Sequence, residues 1–385
     1  MCDVSTIVGR IGFRGYTTQD IVEEGKGAIA LSPTNIVNNK LTYEKDNTYI
    51  SFHKYEESPE IMINQGDVIF VKTGSTVGKV AYVGELIGKT TLNPQVVVLK
   101  NILCDNYILS VIMSTQKFQS KIRKITVGGA VPTLSQVAMG NISISLPKVE
   151  EQIKLSKFIA LIDERIATQN KVIDKLQSLI KGLNNHLYQQ YGNEIETSFS
   201  DLGVSYSGLS GKTAADFGSG KPFITYLNVY SNNVINETSY QYVRMGGNEK
   251  QNIVRYGDVL FTLSSETPEE VGVGSVYLGN QEVYLNSFCF GIHITNTQKV
   301  FSAYLSYYIS TAQFRKFIYP FAQGSTRFNL CKADFEKARF KLPSLENQKR
   351  IYESLRCLSD KVVAEEAVLK QYHSQKQYLL RQMFI

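Results

Sequence analysis

Residues 66–70 read Gly66-Asp67-Val68-Ile69-Phe70, and the pattern returns at 257–261 as Gly257-Asp258-Val259-Leu260-Phe261. A glycine and an aspartate followed by an apolar run are typical of a turn that leads into a buried strand. Further pairs follow in the same order: 80–84 with 275–279, 92–93 with 285–286, 109–110 with 305–306, 128–130 with 323–325, 146–147 with 342–343, and Gln152 with Gln348. Similar segments in one order predict an internal duplication.

Each copy consists of a strand-rich part followed by a helical part. Short apolar runs cut by Gly, Asn and Pro predict strands and turns over 1–146, which we call head 1, and over 193–342, which we call head 2. One helical stretch is predicted near the end of each head, at 106–124 and 303–319. A long helix is predicted in 147–192 and again in 343–385.

The two long helices carry apolar residues at alternating spacings of three and four, which is the heptad pattern of a coiled coil. The first seam consists of Ile159, Ile162, Ile166, Gln169, Ile173, Leu176, Ile180, Leu183 and Leu187; the second consists of Leu355, Leu358, Val362, Glu365, Leu369, Tyr372, Lys376, Leu379 and Met383. Gln169 and Glu365 occupy equivalent positions.

Two arrangements fit these seams. Each helix could lie separately on its own head, or the two helices could pair with each other. Pairing is favoured because a helix of this length spans roughly 55 Å, more than one head could cover. Two equivalent units assemble most simply about a two-fold axis, which predicts an antiparallel coiled coil in an α+β fold. Gln169 and Glu365 should then face each other or lie one layer apart.

Composition narrows the functional classes. Hydrophobic residues make up 43% of the 385 residues, which is typical of a globular protein. No apolar run of membrane-spanning length and no signal peptide are visible. The five cysteines form no C-x-x-C pair and the four histidines are scattered, so we expect a reducing cytoplasm and no metal site. The net charge of +6 is compatible with a nucleic-acid partner.

Two similar heads at a fixed separation match a DNA site that is read in two parts. The candidate contact residues lie on glycine- and hydroxyl-rich loops and on a basic helix. They are chosen because Ser, Thr, Asn and Arg side chains can bond base edges, and Lys side chains can bond phosphates. In head 1 they are Lys72, Thr73, Ser75, Thr76, Lys117, Lys121, Arg123 and Lys124; in head 2 they are Ser264, Thr267, Arg315, Lys316, Ser325, Thr326, Arg327 and Asn329. The alternative for each is an ordinary solvated turn. Neither head has a large excess of basic side chains, so the affinity of the chain alone should be modest.

Two segments resemble catalytic motifs, but both are incomplete. Residues 74–80 resemble a phosphate-binding loop but are one residue short, and Val80 replaces the hydroxyl residue that would hold Mg²⁺. Residues 93–96 begin like the Asn-Pro-Pro-aromatic motif of adenine methyltransferases but lack the second proline and the ring. The acidic run 266–270 could be taken for a cluster of catalytic carboxylates, but it is interpreted as a solvated loop. We therefore expect no catalytic residue and no cofactor.

The ordered combination of motifs resembles the specificity subunit of type I restriction-modification systems. It is carried by Leu146-Pro147-Lys148-Val149-Glu150-Glu151-Gln152 with its repeat at 342–348, by 158–166, by the ending 379–385, and by the Gly-Asp-Val strand in each head. The resemblance implies two target-recognition domains, an antiparallel helical spacer, and docking to methyltransferase and restriction subunits. A stand-alone nuclease or methyltransferase and a protein-binding coiled-coil scaffold are the alternatives.

The repeat is incomplete at one place. When Val204-Ser205 is aligned with Val4-Ser5, the lead-in Phe199-Ser200 has no counterpart in head 1. We therefore expect the opening strand of head 1 to be absent or to be supplied differently from that of head 2.

Overall fold

The computed structural model describes residues 1–44, 47–247 and 249–383. Phe384 and Ile385, which end the predicted second helical part, lie outside the described residues. The chain divides into two compact units: unit 1 comprises Met1–Thr168 with Leu369–Ile385, and unit 2 comprises Gln169–Val368. Each unit contains one head and a part of each long helix. Among the described residues, no helix is apolar over enough of its length to cross a membrane.

Head 1 is built on two sheets that share a core of aliphatic side chains. Its strands are β1 (Thr6–Gly9), β2 (Ile21–Val22), β3 (Ala28–Leu31), β4 (Ile36–Val37), β5 (Lys40–Leu41), β6 (Tyr49–Ile50), β7 (Val68–Val71), β8 (Val80–Tyr82), β9 (Thr90–Leu92) and β10 (Val96–Lys100). One sheet has the order β1-β10-β7-β8-β5-β4 and the other β2-β6-β3-β9. Its helices are α1 (Phe52–Glu56), α2 (Asn106–Ser114), α3 (Gln116–Ile125) and α4 (Gln136–Gly140), and the long helix α5 (Val149–Tyr191) follows.

Head 2 repeats this plan with a larger aromatic core. Its strands are β11 (Ile195–Thr197), β12 (Gly203–Ser207), β13 (Phe217–Ile224), β14 (Gln241–Val243), β15 (Val259–Thr262), β16 (Ser264–Ser265), β17 (Gly274–Val276), β18 (Tyr284–Leu285), β19 (Cys289–Ile294), β20 (Ala322–Gln323), β21 (Phe328–Leu330) and β22 (Phe340–Leu342). Its helices are α6 (Phe199–Leu202), α7 (Tyr226–Ser231), α8 (Ser302–Tyr308), α9 (Ala312–Ile318) and α10 (Lys332–Lys337), before the long helix α11 (Leu345–Met383). The predicted α+β class, with two strand-rich parts and two long helices, is confirmed.

Strand pairing corrects the alignment of the two heads at their beginnings. Antiparallel pairing sets Val68 opposite Leu99 in head 1 and Val259 opposite Ile292 in head 2, so Lys100 and His293 are equivalent. Thr6 lies opposite Lys100, and Val204 lies opposite His293. Val204 is therefore equivalent to Thr6 and not to Val4, as the sequence alignment had it. Two matching residues could not fix the register, which the buried strands determine.

Each predicted helix at the end of a head is in fact two helices. Thr115 and Thr311 interrupt the helical backbone with extended conformations, and each hydroxyl caps the next helix by accepting from the backbone N–H three residues later. A threonine side chain competes with the helical hydrogen bonds of its own segment and favours this break. The apolar spacing predicted helix on both sides but could not reveal the interruption.

A buried glutamine joins each head to the start of its long helix. The Gln152 Oε1 atom accepts from the Asp105 N–H at 2.8 Å, and its Nε2 donates to the Pro147 carbonyl at 2.8 Å. The Gln348 Oε1 atom accepts from the Phe301 N–H at 2.9 Å, and its Nε2 donates to the Pro343 and Lys299 carbonyls at 2.9 and 3.0 Å. The glutamine that recurs in the sequence therefore links two helix beginnings in each copy.

Within each unit the segments of α5 and α11 run antiparallel. In unit 1 the apolar cluster around Ile159 includes Leu155 and Met383, and Asp163 accepts from the Lys376 ammonium group. In unit 2 Gln169 contacts Glu365, and the later residues Ile180 and Lys181 lie around one cleft with the earlier residues Ser359 and Val362. All residues of the two predicted seams are buried or partly buried: Ile159, Ile166, Ile173, Leu355 and Val362 are buried, and the remaining seam residues are intermediate.

The expected contact between Gln169 and Glu365 is present, in a partly buried setting. The Gln169 amide donates to the Glu365 carboxylate and, at 3.2 Å, to the Glu365 backbone carbonyl. The other carboxylate oxygen pairs with Lys361 at 2.6 Å. The Lys361 hydrogen bond is the main cause that lowers the pKa of Glu365, and the Gln169 amide adds to it.

Replacing both Gln169 and Glu365 with leucine should raise the melting temperature by a few degrees, because an apolar layer would replace a polar one among Ile and Leu. Glu365→Leu alone should gain less, because the Gln169 amide loses its carboxylate acceptor and keeps only the Glu365 backbone carbonyl. Glu366→Leu, at an exposed neighbouring position, is the control. Thermal unfolding followed by circular dichroism measures the effect, and a double variant less stable than the parent would contradict the interpretation.

Candidate nucleic-acid interface

The loop 72–76 of head 1 is a tight turn that follows β7. Gly74 and Gly78 have φ angles of 105° and 99°, a region that favours glycine. The Gly74 N–H donates to the Pro132 carbonyl at 2.9 Å, and Thr73 pairs with Thr133. The structure therefore brings the loop 72–76 against the hairpin 127–133, which is far from it in the sequence.

A cleft of about 330 Å³ opens beside this loop and is lined by short polar side chains. Its polar lining consists of Ser32, Thr34, Thr73, Ser75, Thr76, Lys79 and Gln95. Hydroxyl and amide groups can donate to or accept from base edges, and a glutamine can bind adenine through two hydrogen bonds. Lys72 is half-buried, and burial lowers the pKa of its ammonium group.

Sequence reasoning missed Gln95, Ser32 and Thr34. Gln95 lay in the stretch that was rejected as a methyltransferase motif. A signal for its placement existed in the repeated Leu-Asn pair: the Asn93 Oδ1 atom accepts from the Gln95 N–H at 2.8 Å, and the Asn286 Oδ1 atom accepts from the Phe288 N–H at 2.9 Å. These turns follow β9 and β18, and the residues after them, Gln95 and Phe288, are exposed in equivalent loops of the two heads.

In head 2 the equivalent loops form a small three-stranded sheet of order β16-β21-β20. Ser264 lies opposite Asn329, and the hairpin between β20 and β21 ends in a tip at 324–327. Gly324 has a φ of 141°, and a Cβ atom there would lie 2.1 Å from the Arg327 carbonyl oxygen, so the tip requires glycine. Ser325, Thr326, Arg327 and Asn329 are exposed.

The tips of the two hairpins are equivalent in position and differ in chemistry. Thr133 pairs with Thr73 and Val127 in head 1, as Asn329 pairs with Ser264 and Gln323 in head 2. The head 1 tip, 128–131, reads Gly-Gly-Ala-Val, whereas the head 2 tip reads Gly-Ser-Thr-Arg; both are exposed. One head presents a small apolar surface and the other presents hydroxyls and a guanidinium.

Some predicted residues of head 2 are engaged inside the head. The Arg315 guanidinium donates to the backbone carbonyls of Gly272, Glu269 and Val271, and burial lowers its pKa. Ser264 is buried, and Ser265 donates to Glu270 at 3.1 Å. Lys316 and Thr267 are exposed.

The basic cluster of head 1 lies on α3 and is not gathered at the cleft. Lys117, Lys121, Arg123 and Lys124 are exposed; Lys121 donates to the Ser143 carbonyl at 2.6 Å, and Arg123 to the Ser120 hydroxyl at 2.9 Å. One side chain ties this helix to the turn, because the Gln119 amide donates to the Gly78 carbonyl at 2.7 Å. The Gln119 hydrogen bond therefore fixes α3, with its basic side chains, beside the turn that contains the loop 72–76.

The described residues hold no group of three or more His, Cys, Asp or Glu side chains arranged to bind a metal ion. In head 2, His293 Nδ1 and the Tyr206 hydroxyl both form hydrogen bonds with Asp258, at 2.9 and 2.7 Å. Desolvation raises the pKa of Asp258. Because Asp258 directly precedes β15 and also accepts from the Arg255 N–H at 2.8 Å, this group closes the turn before a core strand.

Comparison with known proteins gives consistent matches. A family model described as "Type I restriction modification DNA specificity domain" matches residues 14–178 and 211–371. The chain is 22% identical over 341 residues to the type I restriction enzyme MjaVIII specificity subunit of Methanocaldococcus jannaschii, covering 83% of this chain and 79% of that protein. A putative MjaX specificity subunit of the same organism is 24% identical, with 86% and 80% covered. The solved S subunit from M. genitalium has a TM-score of 0.55 at 13% identity, covering 100% of this chain and 94% of that one.

Proposed function

The chain belongs to the family of type I restriction-modification DNA specificity domains, and from that premise we propose that it reads a DNA site in two halves, one half with each head. The observation that carries this proposal is the pair of equivalent hairpin tips with different side chains. Equivalent placement supports a common way of approaching DNA. Different tips support different half-sites, because base edges are distinguished by the donors, acceptors and methyl groups they meet.

In head 1 we assign base contacts to the cleft with Thr73, Ser75, Thr76 and Gln95, and phosphate contacts to Lys117, Arg123 and Lys124. In head 2 we assign base contacts to Ser325, Thr326, Arg327 and Asn329, with Lys316 on phosphate. Arg315 and Ser264 act within the head in this assignment, since their polar atoms or burial leave little to offer DNA.

Arg327→Ala should weaken specific DNA binding by roughly 10- to 100-fold, because one arginine contact to a guanine is worth about 1–3 kcal/mol. Base selection should relax in one half-site and stay unchanged in the other. Lys341→Ala removes the same charge from an exposed position on β22 and is the matched control. Selection of binding sequences from a random duplex library measures both. Equal losses for the two variants, or relaxation in both halves, would exclude a base contact by Arg327.

We further propose that the protein works with separate methyltransferase and restriction subunits in the cytoplasm and supplies no chemistry itself. The purified chain should neither cut nor methylate DNA when given ATP, Mg²⁺ and S-adenosylmethionine. Transfer of a radiolabelled methyl group and cleavage of supercoiled plasmid are the assays, each repeated after adding the methyltransferase subunit. Turnover by a preparation free of partner subunits would contradict this assignment.

A further inference from the structure

Gln95 in head 1 and Phe288 in head 2 occupy equivalent positions in the two folds. The Gln95 carbonyl accepts from the Lys72 N–H at 2.8 Å, and the Phe288 carbonyl accepts from the Leu263 N–H at 2.9 Å. Lys72 directly follows β7, as Leu263 directly follows β15. The same backbone arrangement therefore presents a polar amide side chain in head 1 and an aromatic ring in head 2.

Thr34 and Leu227 form a second pair of equivalent positions. Leu31 in β3 and Ile224 in β13 each lie opposite the leucine of the repeated Leu-Asn pair, in β9 and in β18. Thr34 and Leu227 follow three residues later and are both exposed, and the next residue is a buried asparagine in each head. Head 2 therefore carries an aliphatic side chain where head 1 carries a hydroxyl.

Both differences fall on the surface that head 1 uses for its polar cleft. In head 1, Thr34 and Gln95 line the same cleft beside the loop 72–76. Their equivalents in head 2, Leu227 and Phe288, are 68% and 58% exposed, and we call these two residues the apolar pair. A single exposed apolar residue is ordinary on a protein surface. Two large ones in place of two polar residues of a cleft assigned to bases indicate an apolar contact in head 2.

Phe288 is also connected, through one residue, to the hairpin that head 2 offers to DNA. While the Leu263 N–H bonds the Phe288 carbonyl, the Leu263 carbonyl accepts from the Leu330 N–H at 2.8 Å, at the end of β21. The tip of this hairpin carries Arg327, which we assign to a base contact. Phe288 therefore lies beside the surface that the proposed function brings to the bases.

We propose that Leu227 and Phe288 contact the C5 methyl group of a thymine, in the major groove of the half-site that head 2 reads. This contact depends on the proposed function, which brings this side of the head to base edges. The thymine methyl group is the apolar feature of the major groove, and a phenylalanine ring is among the side chains that suit it. Head 1, with Thr34 and Gln95 at the same positions, reads hydrogen-bonding groups instead.

The groove follows from the equivalence of the two heads. A glutamine at position 95 suits adenine through two hydrogen bonds in the major groove, and an equivalent position in head 2 faces the same groove. Insertion of an apolar wedge between base pairs is a device of proteins that bind the minor groove. A methyl contact is therefore the use of Phe288 that agrees with the chemistry of Gln95.

The test replaces thymine with uracil, which lacks only the C5 methyl group, at one position at a time in a duplex that the intact chain binds specifically. Fluorescence anisotropy titration measures the affinity. Uracil at the position read by the apolar pair should weaken binding by about 3- to 10-fold, since a buried methyl group is lost. Phe288→Ala should bind the thymine and uracil duplexes equally. Tyr256→Ala is the matched control and should keep the difference, because Tyr256 is 60% exposed but precedes β15, at the end away from Leu263.

Two further variants separate the methyl contact from a general loss of binding. Phe288→Leu keeps an apolar side chain and should retain part of the difference between thymine and uracil. The double variant Leu227→Thr/Phe288→Gln gives head 2 the side chains of head 1 and should lose that difference. Both should melt within about 2 °C of the parent, because the substituted side chains are exposed.

Specific binding that no uracil substitution weakens, or a uracil penalty that Phe288→Ala leaves unchanged, overturns the thymine contact and leaves the proposed function intact. A chain that binds its site no better than a random duplex of equal length overturns both. A uracil penalty at one position that is lost in Phe288→Ala and kept in Tyr256→Ala supports the contact.

Discussion

Inserting four residues into each long helix should make the protein recognise the same two half-sites across a gap about two base pairs longer. Four residues of α-helix add about 6 Å, and base pairs are stacked about 3.4 Å apart. The insertions belong between Thr168 and Gln169 and between Glu365 and Glu366, because each point adjoins a residue of the contact between Gln169 and Glu365. Binding to the original gap should fall by about 1000-fold, toward the non-specific level.

A second pair of insertions, of seven residues at the same points, keeps the heptad register of both seams. It adds two helical turns, about 10.5 Å, and should lengthen the gap by about three base pairs. The control is a four-residue insertion in α5 alone, which offsets one seam against the other and should lower stability without creating a new gap preference. Selection of bound duplexes gives the preferred gap directly. An unchanged gap in both double-insertion proteins would show that the helices do not set the distance.

The features that the sequence predicted well are those repeated at regular intervals. The paired Gly-Asp-Val segments begin β7 and β15, which occupy equivalent positions in their sheets. The heptad spacing located two long helices, and the equivalence of Gln169 and Glu365 led to an observed contact. Periodic patterns are informative because the same local geometry recurs at each period and each residue reports on it independently.

The features that were missed depend on contacts between distant segments. The cleft of head 1 gathers Ser32, Thr73 and Gln95 from three loops, and no local pattern connects them. Arg315 is a surface residue by type, yet three backbone carbonyls from another loop engage it. Hydrogen-bond partners of this kind are set by tertiary packing. Composition and spacing can therefore place a residue on a loop, but they do not predict its role there.

The glutamine that recurs in both copies should be the most sensitive polar side chain of each head. Gln348 is fully buried and makes hydrogen bonds to three backbone groups. Gln348→Met keeps the length of the side chain but leaves the Phe301 N–H and two carbonyls unpaired, at about 1–3 kcal/mol for each buried group. We expect a loss of roughly 3 kcal/mol or more in the free energy of unfolding of unit 2.

Gln152→Met supplies the internal comparison, because Gln152 makes two such hydrogen bonds to the backbone within the described residues of head 1. Its loss should be smaller, about 2 kcal/mol, and should appear in unit 1. Gln371→Met changes an exposed residue of α11 and should be nearly neutral. Urea unfolding with hydrogen exchange resolved by segment separates the two units. If Gln348→Met and Gln371→Met were equally stable, the hydrogen bonds of Gln348 would make no net contribution to stability, and its burial would reflect packing alone. A loss in the free energy of unfolding that decreases from Gln348 to Gln152 to Gln371 ties the loss to the number of backbone groups left unpaired.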